Sequence, residues 1–246
     1  MFPILQLGPL AIQVPGLFLL AGVWFGLLLS EKEAARLDLS GEAIYNLAFT
    51  GLIAGVIGAR LVYVARYLSA YAADTLGILS LNPATLAPTE GLFIGAVAMM
   101  VYGERRQLPL RPTLDALAPA LAVMAAALAF AHLASGDAFG APVRLPWSIY
   151  LWDEYRHPTQ VYEMVAAVAV LIGALRRPFG RGGRGLNFLC VVALSALARI
   201  FLEAFRGDSL LWPGGFRAAQ VAGLGVLGGA LGLARGWVKI DSPDRL

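Results

Sequence analysis

Residues 14–30 read VPGLFLLAGVWFGLLLS, and the first basic residues of the chain, Lys32 and Arg36, follow directly. A run of that length without an ionisable side chain approaches the roughly 20 apolar residues a helix needs to cross hydrocarbon. No Lys or Arg precedes it, so the basic n-region of a cleavable signal is missing and the run reads as a permanent first helix. Comparable runs lie at 44–66, 88–102, 114–134, 159–175, 186–205 and 216–234. The expected fold is therefore an all-α integral membrane protein of about seven transmembrane helices, forming a single transmembrane domain over 1–246.

The basic residues give the orientation. Lys32 and Arg36 follow the first run; Arg105, Arg106 and Arg111 follow the third; Arg176, Arg177, Arg181 and Arg184 the fifth; Arg235, Lys239 and Arg245 the seventh. The N-terminal segment and 69–87 have none, 135–158 has Arg144 and Arg156, and 206–217 has Arg206 and Arg217. Because cytoplasmic loops carry the Lys/Arg excess, this alternation predicts the N-terminus outside and the C-terminus in the cytoplasm.

Composition agrees. Of 246 residues, 59% are hydrophobic and only 14% charged, with a mean hydropathy of +0.70. A soluble domain of this size needs more polar surface. The net charge of +3 is explained by loop orientation and does not point to nucleic acid. The one cysteine, Cys190, lies inside an apolar run and allows neither an internal disulfide nor a thiol–metal cluster. No cofactor and no metal are expected. The basic, Gly-rich loop from Arg176 to Arg184 also reads as an orientation signal.

Ionisable groups inside spans mark pathways or sites. With the orientation above, Arg60, Tyr63 and Arg66 fall in the outer half of the second helix, and Glu90 at the outer end of the third. His132 and Asp137 close the fourth helix. His157, Pro158, Thr159, Gln160, Tyr162 and Glu163 open the fifth, and Arg199, Glu203 and Arg206 finish the sixth. At about 1.5 Å per residue, most lie within roughly 10–12 Å of the outer boundary. A pore would distribute polar groups through the full thickness. Charge gathered at one depth instead predicts a ligand whose polar part sits at the outer interface, a phospholipid.

The segment Arg156-His157-Pro158-Thr159-Gln160-Val161-Tyr162-Glu163 resembles the R-H-P-S/T-Q-x-Y-E run of the prolipoprotein diacylglyceryl transferase family. Arg199 through Arg206 is similar to that family's R-x-x-x-E-x-x-R helix end. Further echoes are Gly58-Ala59-Arg60-Leu61-Val62-Tyr63, Gly140-Ala141-Pro142 with Leu145-Pro146-Trp147, and Gln220. Departures are equally specific. The family's H-G-G aligns with Glu90-Gly91-Leu92. Its G-R-x-x-N-F-x-N-G-E aligns with Leu128 through Asp137, placing Ala129 at the Arg, His132 and Ser135 at the two Asn positions, and Asp137 at the Glu. Its W-Y-G aligns with Val14-Pro15-Gly16.

The resemblance implies a multi-pass protein of the bacterial plasma membrane that moves the diacylglyceryl group of phosphatidylglycerol onto a lipobox cysteine thiol at the outer leaflet. Its partners would be phosphatidylglycerol or another outer-leaflet phospholipid, and lipobox preproteins. The site is expected to be remodelled, with Glu90, His132, Asp137 and Glu203 as candidate catalytic groups. Arg60, Arg199, Arg206, His157, Gln160 and Tyr162 are the candidate phospholipid-binding residues. A carboxylate at Glu90 would accept the thiol proton or pair with an arginine, and both readings stay open. The alternative function is a non-catalytic relative that binds phospholipid or lipoproteins.

Overall fold

The computed structural model describes residues 4–7, 10–73, 75–79, 85–179 and 184–241. Residues 180–183 of the basic Gly-rich loop and Arg245 lie outside the described residues. The helices are α1 (Val14–Arg36), α2 (Gly41–Arg66), α3 (Leu68–Ala73), α4 (Pro88–Arg105), α5 (Leu110–Ser135), α6 (Thr159–Arg176), α7 (Leu186–Leu202) and α8 (Ala218–Asp241). Two antiparallel hairpins join β1 (Ile4–Leu7) to β2 (Leu10–Gln13) and β3 (Ile149–Leu151) to β4 (Glu154–Arg156).

Each of the apolar runs coincides with a helix. Six helices are long and apolar enough to cross a membrane. The remaining run, 88–102, is α4, an 18-residue helix carrying Glu90, Glu104 and Arg105. The protein is an all-α membrane protein of about seven spans. The segment 69–87 holds α3 and a 3-10 turn at Leu76–Leu79.

The chain forms two compact units, one of residues 39–110 and the other of 1–38 with 111–246. In the 39–110 unit, Ser40 caps α2 by accepting from the amide of Ala43 at 3.2 Å. α2 and α4 then meet along a seam of glycines. A Cβ on Gly91 would lie 2.7 Å from the carbonyl oxygen of Gly55, and one on Gly95 would lie 2.7 Å from that of Gly51. Backbone touches backbone here, which is how helices gain packing contact where lipid offers no hydrophobic drive.

Arg60 is buried and fixes the connection that follows α2. It donates to the carbonyl oxygens of Ile78 at 2.9 Å, Thr85 at 2.7 Å and Gly77, and to the Thr85 hydroxyl. Its guanidinium also stands 5.3 Å from the centre of the Tyr71 ring. A planar five-donor fork suits several carbonyls at once, and an ammonium does not. Arg60→Lys is expected to make the 67–87 connection about tenfold more sensitive to limited proteolysis, the equivalent of one charged hydrogen bond of roughly 1.5 kcal/mol. An unchanged cleavage pattern would show that the connection holds without the fork.

In the other unit, α5 is alanine-rich on its buried side, and α1 approaches it closely through Gly22 over Ala127 and Gly26 over Ala120. Ala118, Ala122, Val170, Ala174 and Val191 form a core between α5, α6 and α7. At one end of this unit Glu33 takes both forks of Arg177. Asp115 there accepts from the amides of Gly185 and Phe188, both at 2.9 Å. That satisfies orphan donors in the first turn of α7. The candidate site lies at the opposite end.

Candidate functional site

In the 1–38/111–246 unit, the segments between α5 and α6 and after α7 are laced by backbone hydrogen bonds. Ala141 donates to Phe205 at 2.8 Å and Gly207 to Phe139 at 2.9 Å, while His157 donates to Ala141 at 3.1 Å and Val143 to Tyr155 at 2.8 Å. Gly140 is required at the crossing, since a Cβ there would lie 2.2 Å from the carbonyl oxygen of His157. The Thr159 hydroxyl donates to Ala138 O at 2.6 Å and the Gln160 amide to Asp137 O at 2.9 Å. Arg156 reaches Leu151 O at 3.1 Å and Gly140 O at 3.3 Å. Most of the 156–163 motif therefore works as a brace that sets where α5 ends and α6 begins.

The brace leaves one carboxylate pointing inward. Glu163, in the second turn of α6, accepts from Arg206 at 2.8 Å and Arg199 at 3.2 Å through Oε1, and its Oε2 lies 3.3 Å from His132 Nδ1. A second carboxylate, Glu203, is only 1% exposed. Its Oε2 stands 3.0 Å from Arg199 and 3.9 Å from Arg206, although no donor is aligned on that oxygen as a hydrogen bond. Two acids thus face two arginines and one histidine.

The two arginines differ in freedom. Arg206 is held bidentately by Asp208, at 2.8 and 2.7 Å, besides its bond to Glu163. Burial opposes its charge, and Asp208 with Glu163 outweighs that, so its guanidinium keeps its proton above the ordinary arginine range. Arg199 is 41% exposed along its side chain. Arg217 completes the frame by donating to Glu203 O, to Arg206 O at 3.0 Å and to Ser209 at 2.7 Å.

Beneath the charges lies a cavity of about 160 Å³ between α5, α6 and α7. Ala125, Leu128, Ala129, Ala166, Val170 and Leu202 form apolar walls, with His132, Glu163 and Arg199 at its polar end. A second groove of about 410 Å³ runs along α7 and α8, and Ser195 and Arg199 line both. An anion at Arg199 could therefore carry hydrocarbon into small-residue grooves on either side of α7.

Of the residues singled out from sequence, the structure brings His132, Arg199, Glu203 and Arg206 together. His157 and Tyr162 form a neighbouring aromatic set with Phe205, at ring separations of 5.2 and 6.0 Å, and the Tyr162 hydroxyl accepts from Trp147 at 2.8 Å. Gln160 is fully buried, while Asp137 is exposed. Glu90 and Arg60 belong to the 39–110 unit, where Glu90 pairs with Arg66. Glu163, the hub, stands among the polar residues that open the fifth run but has no catalytic or binding role assigned from sequence. Its signal is a carboxylate within the first two turns of an apolar span, at the depth of two arginines.

A family model described as prolipoprotein diacylglyceryl transferase matches residues 3–235. A phosphatidylglycerol–prolipoprotein diacylglyceryl transferase of Synechococcus elongatus is 31% identical, covering 98% of this chain and 89% of its own. A protein of the same name from a Synechococcus species is 33% identical, over 93% and 90% of the two chains. Another from Clostridioides difficile is 29% identical, over 88% and 87%. With the match running through nearly all its helices, the chain belongs to the prolipoprotein diacylglyceryl transferase family.

Proposed function

We propose that this protein transfers the diacylglyceryl group of phosphatidylglycerol to the cysteine thiol of a lipobox preprotein, at the outer leaflet of the bacterial cytoplasmic membrane. The observation that carries this reading is the Glu163-centred cluster set at the polar end of an apolar cavity. The names of the relatives support the substrates, and the alternation of basic loops supports an N-terminus outside.

In this reading Arg199 receives the phosphate. It is the more exposed arginine, it lines both apolar grooves, and a guanidinium matches phosphate oxygens with two parallel bonds. Glu163 and buried Glu203 hold Arg199 in place, and Arg206, itself fixed by Asp208 and Glu163, adds positive charge that stabilises the departing phosphate. His157 and Tyr162 form the aromatic rim beside it. Gln160 and Asp137 act through the loop they fix, and Arg60 through the connection it holds. Glu90 is spent on its ion pair with Arg66.

The test is purified full-length protein with phosphatidylglycerol in detergent and a lipobox peptide, read by mass spectrometry. Thioether-linked diacylglycerol on the peptide is the expected product. Arg199→Ala should lower kcat/KM about 10–100-fold, the loss of one charge-assisted contact worth roughly 1.5–3 kcal/mol. No product from the wild type, together with phospholipid binding that disappears in Arg199→Ala, would instead mark a binding protein.

A further inference from the structure

The transfer needs a base for the incoming thiol. We propose that His132 is that base, acting through Nε2, with Glu163 as the positioning residue that sets its tautomer. The inference rests on the transferase reading above and assigns a step within it.

The ionisable groups lining the cavity are His132, Glu163 and Arg199. Arg199 cannot accept a proton, because guanidinium stays charged in proteins. Glu163 is already the acceptor for two arginines and the histidine, which leaves it little basicity to spare. Glu203 is nearby but only 1% exposed. His132 remains. It is a quarter exposed, and its Nδ1 is committed to Glu163.

Because a carboxylate can only accept, the 3.3 Å contact makes Nδ1 the donor. The proton then sits on Nδ1, and the Nε2 lone pair is left for substrate. A carboxylate fixing one ring nitrogen so that the other works is the logic of nucleophile activation in general. The charged groups around the pair are Glu163 from α6, and Arg199, Glu203 and Arg206 from α7 and the turn after it. Arg199 and Arg206 pair with these acids, and Asp208 holds Arg206 from the other side. Ala129, three residues earlier on the same face of α5, adds no cation.

The cysteine S–H proton passes to Nε2, and the thiolate attacks the glyceryl carbon bonded to the phosphate oxygen. The S–C bond forms as that C–O bond breaks. The electron pair leaves on the phosphate monoester, which takes the proton back from Nε2–H. No oxidant, reductant or further reactant is needed.

Steady-state kinetics on full-length His132→Gln, in the same detergent as wild type, tests the role. The expected kcat is about 10²–10⁴-fold lower, the usual worth of a positioned general base. The KM for phosphatidylglycerol should stay close to wild type, and the acidic limb of the kcat–pH profile should disappear. Added imidazole should restore part of the activity in His132→Ala but not raise that of the wild type. A histidine that only packs would move neither the pH limb nor the rescue.

A second readout does not depend on activity. The chain has two histidines, so ring-nitrogen NMR shifts of ¹⁵N-histidine protein, assigned with His157→Gln, report the His132 tautomer directly. The Nδ1–H form is expected. An Nε2–H form in the wild type, or a His132→Gln variant whose kcat stays near wild type, overturns the proposal. Wild type that makes no product at all would instead remove the transferase reading, leaving the tautomer as a separate result.

Discussion

Glu163→Gln is expected to lower kcat about 10³–10⁴-fold, more than any single arginine substitution, although the two side chains have the same shape. An acid–base catalyst held in the wrong tautomer loses about that much. Three donors converge on the Glu163 carboxylate: Arg199 and Arg206 on Oε1 and His132 on Oε2. An amide has only one oxygen. If it faces the arginines, its NH₂ group faces His132, and Nδ1 must become an acceptor to avoid a donor–donor contact. The ring proton then moves to Nε2, where the lone pair is needed. If the amide turns the other way, two guanidiniums meet a donor and the arginine frame loosens.

Both orientations disable the site by different routes, and measurements separate them. In the first, phospholipid affinity persists and the NMR tautomer switches to Nε2–H. In the second, affinity falls along with kcat. Activity within about tenfold of wild type would mean that the Glu163 charge is dispensable, since removing one partner from a buried charge network ordinarily costs about 3–5 kcal/mol.

The second large effect concerns stability. Gly91→Val should destabilise the α2–α4 pair by about 3 kcal/mol, at the upper end for overpacking a tight interface. For a chain of this size that corresponds to a fall in Tm of roughly 6–12 °C. At Gly91 the added Cβ would lie 2.7 Å from Gly55 O and 2.6 Å from the Ala59 Cβ. Neither obstacle is the flexible end of a long side chain, so relief requires the helices to separate. The natural control is Gly225 in α8, where an added Cβ meets nothing within 4 Å. Gly225→Ala should leave Tm within about 2 °C, or raise it slightly through helix propensity. Equal thermal losses in the two variants would place the cost in general glycine replacement and not in the seam.

The spans were legible because the bilayer imposes a length of apolar sequence that each helix must show by itself. Pairing was not. The seam is written as Gly51-x-x-x-Gly55 and Gly91-x-x-x-Gly95, but small-residue spacing does not reveal which helix answers which. His132, Arg199, Glu203 and Arg206 stood out because charge in an apolar run is expensive. Glu163 stands in the same motif as His157 and Tyr162, with nothing local to set its role apart from theirs. Its importance comes from the three donors it gathers, two of them from residues 36 and 43 positions away. Arg60 looked like a headgroup ligand by depth, yet its donors go to carbonyls of its own unit. Nor does any local pattern announce that Gly140 pairs with Arg206.

The bonds at the other end of that unit bear on how the protein is made. Asp115 finds its donors 70 and 73 residues downstream, at Gly185 and Phe188, and Glu33 finds Arg177 after 144 residues. At about 5–20 residues per second, a ribosome needs several seconds to reach the first pair and up to about half a minute to reach the second. During that interval Asp115 lacks the amides that will hold it, and Glu33 has Arg36, three residues on, as its near partner. The Asp115 carboxylate must wait in water or headgroups, which keeps the start of α5 shallow until α7 arrives. Biogenesis of this unit is therefore sequential, with a late helix drawing an early one to its final depth.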